Sequence, residues 1–356
     1  MKRCSFCVWL ISFWLLAIFI LAWGFLFPKT ALAKRRWRDN SPAKSKQADS
    51  QEDDVAPNRP VKFIGVLDCS RTQNSKGDRQ GAGVIIDVAQ NSQGEFYVLK
   101  DLPPRVMVFN REGRFLFQFG DTGKGAGQLS RPFSIAIDNQ DRVFISDIDR
   151  EKIMIFTPAG KFQDEFSSRA SLVETDKYKN DAPGCIAIDR KSSQLYLSDS
   201  ANGHITIHDL SGKFLKYFKS DKSATFCTPG TVRFDNKERV YVPEGMCDRI
   251  RIFKRDGTEL AKIGASGDLL GQFSRLTGMT VDSQGRVYAS DLLLKCIQVF
   301  DPEGNCLGVI KWLDSDKGEK VYFKRVIRIS SGRDDSLLIM DQGTDLVYIV
   351  KDNNSK

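Results

Sequence analysis

Thr277-Gly-Met-Thr-Val-Asp-Ser-Gln-Gly-Arg-Val-Tyr-Ala-Ser-Asp-Leu-Leu-Leu-Lys-Cys-Ile-Gln-Val-Phe-Asp-Pro-Glu-Gly-Asn-Cys-Leu-Gly-Val-Ile310 contains four short runs rich in Val, Ile and aromatic residues. They are Thr277 to Asp282, Arg286 to Ser290, Cys296 to Phe300 and Cys306 to Ile310, with the turn formers Asp-Ser-Gln-Gly and Asp-Pro-Glu-Gly between the paired runs. Each run is too short for a helix, and no 3.6-residue apolar stripe crosses them, so the unit reads as four small strands.

The unit recurs along the chain. Tyr97, Phe144, Tyr196, Tyr241, Tyr288 and Leu338 fall in one column at spacings of 47, 52, 45, 47 and 50 residues. Three residues after each stands Lys100, Asp147, Asp199, Glu244, Asp291 or Asp341, and a β-rich run such as Val106 to Phe109 or Ile153 to Phe156 follows. Four small strands cannot bury a hydrophobic face alone, so the copies must pack on one another. A period near 45 residues with four strands per unit is the signature of a β-propeller. The expected fold is all-β, with six blades of four antiparallel strands. The sixth copy has only three strands before Lys351, whereas Val61 to Leu67 is a lone strand-like run ahead of the first copy. That run should supply the missing outer strand of blade six and close the ring.

Segments such as Arg131-Pro-Phe-Ser-Ile-Ala-Ile-Asp138 followed by Arg142-Val-Phe-Ile-Ser-Asp147 resemble NHL repeats, a family of six-bladed propellers. The glycine-rich pair Gly120-Asp-Thr-Gly-Lys-Gly-Ala-Gly-Gln-Leu-Ser-Arg131 and Gly264-Ala-Ser-Gly-Asp-Leu-Leu-Gly-Gln-Phe-Ser-Arg275 is similar to that family's link into the next blade. The resemblance covers about residues 61 to 351. It is weakest in the fourth copy, where Pro243-Glu244 replaces Ser-Asp, and in the sixth, where Leu338 replaces the ring. Some NHL propellers bind RNA, and resembling six-bladed propellers include a histidine-dependent lyase and calcium-dependent lactonases. Those uses are expectations to be weighed against the residues of this chain.

Ahead of the propeller (59–352) lie two non-globular segments. Residues 1–33 carry a basic start, an apolar core from Cys7 to Phe27 and the small-x-small site Ala31-Leu-Ala33, which reads as a signal peptide or a retained membrane anchor. Lys29, Lys34, Arg35, Arg36 and Arg38 follow the core, and by the positive-inside rule alone they would leave the propeller facing the cytoplasm. The export features argue instead for a periplasmic, cell-surface or secreted propeller. Residues 34–58 form a flexible polar linker, and 353–356 a short tail. Cys4-x-x-Cys7 is followed by Val8 and lies in the signal, so it is neither a haem site nor a redox pair. Cys227 and Cys247 should stand near each other on one face of blade four, and export would favour a disulfide between them. In the hairpin around Asp301 to Gly304, Cys306 should face Val299 and not Cys296. Cys185 and Cys296 read as buried apolar side chains.

The chemistry-bearing residues give no catalytic constellation. His204 and His208 are the only histidines, and on one strand they would sit about 13 Å apart, too far to share an ion. His208 stands in the column of Phe109, Phe156, Phe253 and Phe300. Asp199-Ser-Ala-Asn202 is the nearest approach to a calcium ligand set. The segment Gly120 to Gly127 lacks the Gly-Lys-[Ser/Thr] ending of a phosphate-binding P-loop. The recurring acids Asp147, Asp199, Glu244, Asp291 and Asp341 read as structural acceptors of hydrogen bonds, with Arg105, Lys152 and Arg249 as charge partners. No metal or cofactor is expected.

Binding is expected on the face that carries the inter-blade links and the loops between second and third strands, because those are the segments in which the copies differ. Arg105, Arg131, Arg150, Lys152, Tyr178, Phe226, Arg249, Arg275, Tyr322 and Arg325 are the residues expected there. Arg131 and Arg275 are three repeats apart and should stand on opposite blades. Basic groups interleaved with aromatics suit a protein, peptide or glycan partner. The chain carries +8, and removal of Lys2, Arg3 and Lys29 with a signal leaves +5, mostly in the linker, so the propeller offers no electrostatic footprint for nucleic acid. The leading expectation is a monomeric, exported or membrane-tethered, non-catalytic binding or scaffold propeller. The alternative is a calcium-dependent hydrolase or lyase with its site at the channel mouth.

Overall fold

The computed structural model describes residues 59–70, 83–168, 184–218, 225–315 and 318–352. The proposed signal or anchor, the linker, the tail and Tyr178 lie outside these residues. Among the described residues no helix is long and apolar enough to cross a membrane.

Six four-stranded antiparallel sheets form the blades of a closed ring. The inner strands, from blade one to blade six, are Ile85–Gln90, Pro132–Ile137, Ile186–Asp189, Arg233–Phe234, Leu276–Val281 and Val326–Ser331. The outer strand of blade six is Val61–Asp68, which pairs antiparallel with Leu346–Asp352 from Val61 opposite Asp352 to Asp68 opposite Leu346. The link between blades five and six carries its own hairpin, Trp312–Asp314 with Lys320–Tyr322.

Apolar burial lies between blades, as the repeat requires. Six clusters of buried residues fill the six blade junctions. At the junction where the chain closes, Leu67 and Cys69 of the N-terminal strand pack with Val98 and Met107 of blade one and with Leu338 and Val347 of blade six. Asp352 accepts bonds from Arg59 Nε at 2.7 Å and from the Tyr288 hydroxyl at 2.9 Å, so the last strand is tied both to the N-terminal strand and to blade five.

The acids of the repeat column hold backbone. Asp147 accepts from the amides of Ser130 and Arg131, Asp291 from those of Ser274, Arg275, Leu293 and Leu294, and Asp341 from those of Lys324, Arg325 and Gly343. Asp199 accepts from the amides of Ala201 and Asn202 and from the Asn202 side chain. Each carboxylate thus ties the loop after the second strand, and in three blades also the start of the inner strand. The expected basic partners need correcting. Only Arg249 pairs with its column acid, Glu244, while Lys152 pairs with Glu165 and Arg105 reaches Pro103 O and Gln118.

Blade one has Lys100 in the acid column, and its surroundings are reversed to match. The buried ammonium donates to Cys69 O at 2.7 Å and to Asp345 Oδ2 at 2.9 Å, so it binds acceptors at the ring closure where the other blades bind donors. A second device repeats at the opposite end of the blades. Asp138, Asp235 and Asp282 each cap their own turn and pair four residues on with Arg142, Arg239 or Arg286. Those guanidiniums lie over Phe144, Tyr241 and Tyr288 of the ring column, with centroid distances of 5.4, 5.5 and 5.9 Å.

Apart from one between Phe63 and Gly65 in the closing strand, register shifts sit at two fixed places. One follows the start of the inner strand in blades one, two, five and six; the other precedes the turn between third and outer strands in five blades. The second corrects the expected cysteine register: with the extra residue inserted, Cys306 lies opposite Phe300, and Val299 opposite Gly308. Cys185, Cys296 and Cys306 are free thiols, and Cys227 is joined to Cys247 across a Cα separation of 5.9 Å.

Two stability measurements check this account. Leu67→Ala at the closing junction should cost about 2–5 kcal/mol in denaturant unfolding, whereas Ile64→Ala, on the same strand but exposed, should cost under about 0.5 kcal/mol. Lys100→Asp restores the repeat's commonest residue type and should nevertheless destabilise by about 3 kcal/mol or more, because a second carboxylate would then face Asp345 with no buried cation. A neutral or stabilising Lys100→Asp would refute the reversed-polarity reading.

Candidate functional site

The loop face carries the links and the turns between second and third strands. Arg131 and Arg275 lie there on blades two and five, both exposed. Arg131 is paired with Asp149 at 3.0 Å, and the Arg275 side chain has no ion pair among the described residues. Arg325 is exposed beside Lys324, and Tyr322 is exposed with its ring 5.7 Å from that of Trp312. Lys320 lies over the Trp312 ring at 4.3 Å. Arg249 and Lys152 are partly exposed but engaged by Glu244 and Glu165.

Three expected binding residues are structural. Phe226 is buried, stacked with Phe218 and edge-on to Phe253. Arg105 is buried, and desolvation pushes its pKa down. Arg150 donates to Gly125 O at 2.7 Å, Gln128 O at 2.6 Å and Glu165 at 2.6 Å, bracing the link between blades one and two. A spacing argument places all three near loops but cannot tell inward from outward side chains.

The two glycine-rich links are structural twins with different surfaces. Gly123 N bonds Leu129 O and Gly267 N bonds Phe273 O; Leu129 and Phe273 are both fully buried. Gly123 and Gly267 share a φ near +150°, a conformation that glycine supplies without strain. On this shared frame the first link displays Gly125-Ala126 and the second Leu269-Leu270, which are 66% and 52% exposed. The fold therefore does not require the two leucines outside. Met246 and Leu293, at the neighbouring loop tips of blades four and five, are also about two-thirds exposed.

Within the channel, the side chains that the inner-strand bulges aim inward form a cross-brace. Arg328 of blade six pairs with Asp87 of blade one at 2.9 Å, donates to Phe133 O at 3.2 Å and lies 3.5 Å from Cys185 Sγ of blade three. Asp87 also accepts from the Ser134 hydroxyl and the Ile135 amide. Gly278 allows this packing, since a Cβ there would meet the Arg328 Cα at 3.0 Å. One residue further along the strands a cleft of about 430 Å³ opens toward the turn face, with Ile135, Ile186, Arg190, Arg233, Arg255 and Arg333 in its wall. The sequence reading missed it. Its signal was present in the alignment of copies: Arg233 lies opposite the ring column where the other blades have Ala89, Ala136, Ala187, Thr280 and Ser330.

The histidines are placed by packing. His208 is buried between Gly212 O and the Thr206 hydroxyl, with burial pushing its pKa down, and His204 meets the Tyr217 ring edge-on. The Asp199 and Asn202 side chains bond each other at 2.7 Å. Among the described residues no group of three His, Cys, Asp or Glu side chains is placed to hold a metal ion.

A family profile described as a 6-bladed beta-propeller matches residues 84–180. The protein brain tumor of Drosophila melanogaster is 28% identical over 169 residues, which is 47% of this chain but only 16% of that protein. Among solved structures, a protein from Bacteroides thetaiotaomicron superposes with a TM-score of 0.60 at 15% identity, covering 82% of this chain and 76% of its own. A gluconolactonase of Xanthomonas campestris gives 0.58 at 15% identity over 83% and 96%. The virginiamycin B lyase of Staphylococcus aureus gives 0.54 at 10% identity over 81% and 98%. At these identities the structural likenesses establish the fold alone.

Proposed function

We propose that this chain is a non-catalytic binding propeller that captures a protein partner on the loop face of blades four to six, and that it does so outside the cytoplasmic membrane. The reading rests on Leu269-Leu270, displayed on a link whose twin carries Gly125-Ala126 on the same frame. Exposed leucines that the fold does not need mark a surface kept for contact. Met246, Leu293 and Tyr322 extend the apolar set across adjacent elements, and the same links and loops expose Arg275, Lys320, Lys324 and Arg325 alongside Asp268 and Glu319. The matching partner is an acidic segment that presents apolar side chains. The export features of residues 1–33 support the location, and so does the Cys227–Cys247 disulfide, a bond favoured in oxidising compartments.

A photocrosslinking residue at Leu293 should give a discrete, saturable protein adduct, and the same residue at Leu260, on an outer strand, should not. Arg275→Glu combined with Arg325→Glu should lower the adduct yield at least about tenfold at unchanged melting temperature. Equal labelling from both positions would remove the loop face from consideration. Location is tested separately by C-terminal reporter fusions. An exported-only phosphatase should be active, and activity of a cytoplasm-only reporter would overturn export.

A further inference from the structure

In the cleft at the turn end of the channel Lys191 pairs with Glu238, Arg255 with Asp189 and Arg333 with Asp141, which leaves Arg190 and Arg233 as the lining cations without an ion pair among the described residues. Five basic and two acidic side chains line it, and both acids are already engaged, Asp189 by Arg255 and Asp235 by Arg239. Among the described residues Arg233 donates to Val232 O at 3.3 Å and Arg190 to Ile137 O at 3.2 Å, with no other side-chain hydrogen bond. Neither has an ion pair among the described residues. Arg333, from the opposite side of the ring, reaches Asp138 O and Asp141, each at 3.3 Å. It thereby comes close enough to Arg190 for the two cations to repel. The Nε of Arg255 is buried without a hydrogen-bond partner among the described residues.

These arginines are departures from the repeat. Arg190 and Arg333 stand in a turn column that elsewhere holds Ser92, Asn139, Asn236 and Ser283, and Arg233 stands in a column of Ala, Thr and Ser. Three independent departures, from blades three, four and six, aim guanidiniums into one cleft. Desolvation depresses the pKa of Arg233, and at Arg190, exposed at the rim of the cleft, desolvation and then the Arg333 charge push it down to about 10. At both, desolvation and a neighbouring cation outweigh the nearby carboxylates, Asp87 at Arg233 and Asp141 and Asp138 at Arg190.

We propose that this cleft is a binding site for a small oxyanion with two or more negative charges, a polycarboxylate or a phosphate, held by Arg190, Arg233 and Arg333. Guanidinium forks match carboxylate and phosphate oxygens in bidentate geometry. The volume lies within the range of small-molecule sites. The Arg328–Asp87 brace lies toward the loop face, so the ligand enters from the turn face, away from the surface proposed for the protein partner.

The test is calorimetric titration of the full-length protein with citrate and, separately, with pyrophosphate. At least one should bind with one-to-one stoichiometry and raise the melting temperature more than sodium chloride of equal ionic strength does. Arg190→Gln and Arg233→Gln should each weaken binding about tenfold or more, and Arg190→Lys by less, while Arg114→Gln on the outer rim leaves it unchanged. The preferred probe distinguishes a carboxylate ligand from a phosphate one. No binding of either anion at millimolar concentration, or binding equal in wild type and both Gln variants, would overturn the site. If a Gln variant does not fold, the wild-type melting shift against matched salt and the Arg190→Lys titration decide the question.

Discussion

At the end of the second strand of each blade from two to six, a carboxylate accepts hydrogen bonds from the amides around it. Loop amides removed from water need acceptors, and one carboxylate with several lone pairs satisfies two to four of them at once in blades two, three, five and six, while Glu244 of blade four takes the Cys227 amide and the Arg249 guanidinium. In blades two, five and six this fixes where the chain enters the inner strand, and so where that strand's side chains enter the channel. Blade one shows that the requirement is for complementary polarity, not for an acid: its neighbours at the ring closure are carbonyl and carboxylate oxygens, and Lys100 meets them.

With the blades so fixed, the two ends of the channel have separate characters. On the loop face, links of equal backbone geometry show either glycine and alanine or a pair of leucines. On the turn face, Asp-to-Arg clips lie under the ring column in blades two, four and five, and further arginines from blades three, four and six gather in the cleft. The cross-brace of Arg328 and Asp87 joins blades six, one, two and three and separates the two ends. In both places the residues of interest are those in which one copy departs from the others.

Much of the fold was legible because a propeller writes the same physical requirement six times. The ring column, the turn formers and the lone Val61 to Leu67 run were sufficient for blade number, strand number and closure. Residue-level expectations fared unevenly. Column averages identify what every blade needs, and the acids of the column do accept backbone hydrogen bonds. Such averages do not show which way a loop residue points, and so Phe226 and Arg150 looked available when one is core and the other braces a link. Arg190, Arg233 and Arg333 were overlooked because they are unremarkable until the inner strands are known to converge on one axis.

The sequence by itself determined the architecture, because periodic hydrophobic runs that cannot bury themselves alone have to stack. It also determined the polarity of each column, because unpaired buried charge is too costly to be arbitrary. The tertiary structure alone decided which charges meet. Residues such as Asp87 and Arg328 are 241 positions apart and become partners only across a closed ring. A one-residue bulge, absent from any spacing count, sets which side chains face the channel. Arg190 and Arg233, which have no ion pair among the described residues, are the remainder after that pairing, and a remainder is known only once partners have been placed.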